Sequence, residues 1–115
     1  MNNNINKKIW GMEITWADEE QYCAKILVFE KTLVKTPFVF HNHINKTFFV
    51  SLGRFKFRWI DTKDGKMYEQ ILEEGSVHTV KNLTPWSLES QIEGGSVMQV
   101  SNKNDCDDTH IILGG

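Results

Sequence analysis

His41 and His43 stand one residue apart in the run Phe38-Val39-Phe40-His41-Asn42-His43, and on an extended strand alternate side chains point to one face. Two imidazoles presented that way can share a divalent transition-metal ion, or one of them can serve as a general base. Lys46 follows at once with an ammonium suited to a phosphate or carboxylate, or to carbonyl chemistry through a Schiff base. His41, His43 and Lys46 are therefore candidate ligand-binding residues. The same three are the candidates for catalysis, and His41 and His43 are those for a metal. His78 or His110 would add a third imidazole only if the fold turned it inward. Asp105, Asp107 and Asp108 cluster without the spacing of a calcium loop and read as a solvated turn. The serines lack a nucleophile-elbow context, and there is no glycine-rich phosphate loop.

These residues need a β-scaffold, and the sequence supplies one. Arg54-Phe55-Lys56-Phe57-Arg58-Trp59 alternates basic and aromatic residues, so Phe55, Phe57 and Trp59 should point inward. The same alternation puts rings and charges on opposite faces, which removes a basic-aromatic surface for single-stranded nucleic acid. Apolar stretches recur at 24–29, 37–41, 47–52, 55–60, 68–72, 77–80, 86–92 and 97–101, separated by turn signals such as Asp64-Gly65 and Gly94-Gly95. No helical period is sustained. About eight short strands predict an all-β antiparallel sandwich or barrel, best matched by a jelly roll.

Residues 1–8 are polar and expected to fray, leaving one domain over 9–115. A chain of 115 residues with 40% hydrophobic and 24% charged residues has room for one core, and a net charge of −2 provides no field for nucleic acid or anionic membrane. No segment has the length of a membrane span and the first residues lack a signal-peptide core, so a soluble cytoplasmic protein is expected. Cys23 and Cys106, far apart, are expected to be free thiols.

From about Trp10-Gly11 to Asp107-Asp108 the chain resembles the cupin superfamily, and within it the small single-domain cupins similar to the type II phosphomannose isomerase domain. The family's first motif, His-x-His, two residues, Glu, six residues, Gly, reads here His41-Asn42-His43, two residues, Lys46, six residues, Gly53. The second motif's Pro-His pair reads Pro85-Trp86, with Lys81 and Leu83 at its preceding proline and glycine, and Lys35 stands for the glycine before the first motif. Gln99-Val100-Ser101 with Asp107-Asp108 is similar to the family's Glu-Val-Ser and Asp-Asp ending.

The resemblance implies a cupin double-stranded β-helix, an antiparallel jelly-roll barrel, whose usual metal site of three imidazoles and a carboxylate is here reduced to His41 and His43. It implies a protein binding a small polar ligand, such as a sugar or sugar phosphate, with no cofactor expected and a divalent transition metal the one the fold would admit. Two alternatives stay open: a metal-dependent sugar-phosphate isomerase or epimerase with His41 or His43 as base, and a structural subunit with a vestigial pocket. Lys46 either replaces both the ion and the carboxylate, at equal local charge, or snorkels to the barrel mouth. At the place of the motif's histidine, Trp86 joins the candidate ligand-binding residues as a flat apolar face with an indole N–H to hold a sugar ring, or else it fills the old cavity. A homodimer is expected, because small cupins commonly pair.

Overall fold

A computed structural model describes residues 4–113. The alternating segment forms a strand, Phe55–Asp61, with Phe55 and Phe57 fully buried and Trp59 partly so. Its outward Lys56 and Arg58 meet Glu69, and Arg58 also meets Glu89, so the charged face is paired in water as the alternation requires. The strands in chain order are β1 (Ile5–Lys8), β2 (Gly11–Asp18), β3 (Cys23–Phe29), β4 (Phe38–Phe40), β5 (Lys46–Leu52), β6 (Phe55–Asp61), β7 (Lys66–Leu72), β8 (Val77–Val80), β9 (Trp86–Ser90), β10 (Gly95–Ser101) and β11 (His110–Leu113). No helix occurs among the described residues, so none is long and apolar enough to cross a membrane.

The strands make two antiparallel sheets, ordered β1-β2-β3-β10-β5-β8 and β11-β4-β9-β6-β7. Between them lies an aromatic core. Phe29 of one sheet packs on Phe55 of the other at 4.9 Å between ring centroids, and Phe48 packs on Trp86 at 4.9 Å. Each such ring removes enough apolar surface from water to contribute about 2–3 kcal/mol.

All eight expected apolar strands are present. The hairpin at Asp64-Gly65 joins β6 to β7, with the Gly65 N–H donated to the Asp61 carbonyl at 2.7 Å. Gly53 turns β5 into β6 at φ +95°, a left-handed backbone angle that disfavours any side chain. Two expectations need correction. Ile5–Lys8 are not frayed: they pair with β2 as an edge strand, while residues 1–3 of that expected segment, and 114–115 at the other end, lie outside the described residues. The second concerns His41-Asn42-His43, which lies beyond the end of β4 in a bend rather than on a strand.

Candidate functional site

The bend is made by Asp108. Its carboxylate accepts the backbone N–H of Asn42 at 3.0 Å and of His43 at 2.8 Å, while its carbonyl accepts from His41 Nδ1 at 2.9 Å. The chain therefore turns between the two histidines. His41 points into the barrel and is buried, whereas His43 is exposed and stands outside the cavity, so the expectation that both imidazoles share a face does not hold. The N–H bonds hold the Asp108 carboxyl at a pKa of about 2, against the opposing effect of desolvation.

His41 has both ring nitrogens in use. Nδ1 carries the proton donated to the Asp108 carbonyl, and Nε2 accepts the indole N–H of Trp86 at 3.2 Å. That pattern requires a neutral ring, in keeping with a pKa pushed down to about 4 by burial and by the Lys46 ammonium. Neither nitrogen is free to bind a metal or to take a proton from a substrate. Trp86 is only 4% exposed, lies on Phe48 and nearly parallel to Phe57, and has spent its N–H on His41.

Lys46 begins β5 on the inward face and is fully buried, so it does not snorkel to the mouth. Its ammonium pairs with Asp105, donates to Gln99 Oε1 at 3.3 Å and lies 5.1 Å from the Trp86 ring centroid. Asp105 also accepts from Lys25 Nζ at 2.7 Å, and Lys25 reaches Glu13 at 3.0 Å. A buried chain of alternating charge results, Lys46–Asp105–Lys25–Glu13. Lys46 thus does not stand as an unpaired replacement for an ion, because a carboxylate from a distant loop neutralises it. Burial lowers the Lys46 pKa. Burial alone would raise that of Asp105, yet the two ammoniums outweigh it and hold the carboxyl well below its usual range. For Lys25 burial is outweighed by Asp105 and Glu13, so its pKa rises.

Above these groups lies a cavity of about 590 Å³, opening between β1–β2 and the β4–β11 edge, and lined by His41, Lys46, Trp86, Gln99 and Asp105 among others. The pocket is not collapsed around Trp86. Lys8, Lys25 and Lys46 line it against only Glu13 and Asp105, so an electropositive recess sits in a chain whose overall charge is −2. Gln99 lines it at 2% exposure, and its Nε2 is a buried donor with no partner. The amide orientation is set by Lys46, since turning it over would place NH2 against an ammonium.

The remaining histidines do not join this group. His78 faces inward on β8 against Phe57 at 4.2 Å, where burial lowers its pKa, and His110 bonds the Asp108 carboxylate at 3.0 Å. Among the described residues no three His, Cys, Asp or Glu side chains converge as metal donors. With His41 Nε2 capped by Trp86 and an ammonium at Lys46, the residues present do not fit the metal centre that the resemblance implies.

Sequence reasoning passed over Lys25 and Glu13, gave Gln99 no role in the site, and read Asp105 and Asp108 as part of a solvated turn, whereas both are buried, Asp105 between two lysines. Lys25 was open to detection, since it shares the face of Cys23, Leu27 and Phe29 on a strand of alternating burial. Gln99 likewise shares the face of Val97. Asp105 gives no such signal, being a loop residue brought back across the barrel end. Cys23 and Cys106 are both free.

The comparisons with known proteins bear on this frame. No family model and no curated protein matches the sequence. Among solved structures the chain is similar to the capsular polysaccharide assembling protein CapF from Staphylococcus aureus, at 14% identity and TM-score 0.83 over 95% of this chain and 32% of that one. It is equally similar to oxalate decarboxylase from Bacillus subtilis, at 13% identity and TM-score 0.83 over 94% of this chain and 29% of that one. The fold is that of a cupin. The chain spans about a third of the length of those two proteins. KdgF from Halomonas sp. is nearer in size, with 14% identity and TM-score 0.71 over 84% of this chain and 81% of that one. None of the three is a phosphomannose isomerase, and that finer likeness rests on the sequence motifs alone.

Proposed function

We infer that this cupin-fold chain binds a small, anionic, oxygen-rich molecule of the sugar-phosphate kind in its barrel cavity, without a metal ion. The observation that carries the reading is Gln99, which lines that cavity and whose Nε2 is a buried donor without a partner. Leaving such a donor unmet costs about 1–3 kcal/mol, which a ligand oxygen would recover on binding. A volume of about 590 Å³ is in the range of small-molecule sites, and the excess of lysines favours an anion. The naming of CapF as a capsular polysaccharide assembling protein supports a sugar-type ligand on a like scaffold.

The test is calorimetric titration of chelator-treated protein with a panel of monosaccharide phosphates and the matching free sugars. Phosphorylated members should bind, more weakly as salt rises. Gln99→Leu should lower their affinity about tenfold, the equivalent of one hydrogen bond to a charged group. Binding that appears only with added divalent metal, or that ignores Gln99→Leu, would overturn the reading.

A further inference from the structure

β1 contributes nothing to the core, since all four of its side chains are exposed, yet it is held in register against β2, with Ile5 opposite Ile14 and Lys8 opposite Gly11. The turn that follows is fixed to the sheet. Trp10 is buried with its ring stacked on Phe29 at 4.7 Å, and a Cβ on Gly11 would lie 1.9 Å from the Val28 carbonyl oxygen, so the backbone there packs directly against β3. Strand alternation then sorts the β1 side chains. Asn6 stands opposite Glu13, which lines the cavity and reaches Lys25, so Asn6 and Lys8 face the cavity while Ile5 and Lys7 face the outer side of the sheet.

The ammoniums of the cavity differ in what already answers them. Asp105 meets Lys46 and Lys25, and Glu13 meets Lys25, so two carboxylates neutralise two lysines. Lys8 is the third, and among the described residues no carboxylate or other side chain pairs with it. The recess therefore owes its net positive charge to Lys8. A phosphate driven deeper would approach the Asp105 carboxylate, whereas at the mouth it meets an ammonium that nothing has neutralised. The Asn6 carboxamide, two residues back on the same face, adds N–H donors there.

We propose, on the footing that this cavity is the sugar-phosphate site, that Lys8 is the residue that selects anionic ligands, holding the phosphate at the cavity mouth while the sugar body reaches inward to Gln99. The ligand then has one orientation, and its two ends are recognised by different strands. At Lys8 on β1 the contact is an ion pair open to water, which salt screens. At Gln99 on β10 it is a buried hydrogen bond, which salt leaves alone. An edge strand without core residues suits the first task, because its inward side chains take no part in packing.

The experiment titrates wild type, Lys8→Gln, Lys8→Arg and Lys7→Gln with the monosaccharide phosphates and the matching free sugars, at low and high salt. Both glutamine variants remove one positive charge from the same exposed strand, but only Lys8 faces the cavity. Lys8→Gln should weaken the phosphates about five- to tenfold, leave the free sugars within about twofold and abolish most of the salt dependence. Lys7→Gln should bind as wild type does, and Lys8→Arg should keep the preference for phosphates. Equal losses in Lys7→Gln and Lys8→Gln would reveal a diffuse field and overturn the proposal, as would phosphates that bind Lys8→Gln with wild-type affinity. Where Gln99→Leu still weakens binding in that last case, the cavity remains the site and only the role of Lys8 falls. A panel that ignores both Lys8→Gln and Gln99→Leu, or of which no member binds wild type, removes both.

Discussion

His41 is held neutral by its burial, by the nearby Lys46 ammonium and by the Trp86 indole N–H on Nε2, against the Asp108 carbonyl, whose bond to Nδ1 favours the protonated ring. Its pKa of about 4 in the folded protein, against 6.5 for the ordinary group, means that the unfolded chain binds the extra proton first as pH falls. The sign is therefore fixed: the contribution to stability is complete above about pH 6.5 and declines as pH falls from there towards 4. Allowing for water in the adjoining cavity, the loss is about 2 kcal/mol. Urea unfolding at pH 7 and pH 4.5 measures it, and NMR titration of the ring should place the midpoint near 4 with the proton on Nδ1. Trp86→Phe removes the donor to Nε2 and should move that midpoint upward. The inward aim of His41 was legible from its apolar surroundings, but the outward turn of His43 was not, because it depends on a carboxylate 65 residues away.

Among the elements, the loop between β10 and β11 carries more than its composition suggests. Read locally, Asp105 to Asp108 is an acidic turn; in the fold it closes the barrel end and delivers Asp105 between two buried lysines. Asp105→Asn keeps an amide oxygen beside Lys46 but removes the charge that neutralises the buried ammonium, and should cost about 3–5 kcal/mol in chemical denaturation. Lys46→Met should cost clearly less, since Asp105 keeps its bond to Lys25. Equal losses would mean that the charges do not act as a chain. The strands with two-residue alternation were legible because each buries one face. β1, with the sequence INKK and no buried residue, had no alternation to read, and only its pairing with β2 defines it.

At the scale of the whole molecule, two sheets enclose an aromatic core and leave an open recess at one edge, where the charges gather. The frame was legible in the sequence: eight apolar strands, the hairpin turn and the glycine at position 53 all lie where the period required. The chemistry of the recess was legible only in part, since Lys46 and Trp86 could be singled out but the groups that neutralise and cap them come from distant strands and a loop. What the fold leaves unspent there is the Gln99 side-chain amide. NMR observation of that amide in chelator-treated protein, during titration with a monosaccharide phosphate, tests the central claim most directly. The expected result is a saturable downfield shift of the Gln99 Nε2 protons, as the donor gains an oxygen acceptor, while the ring resonances of exposed His43 stay fixed. An amide signal that does not move while a ligand demonstrably binds would contradict the account and place the ligand outside this cavity.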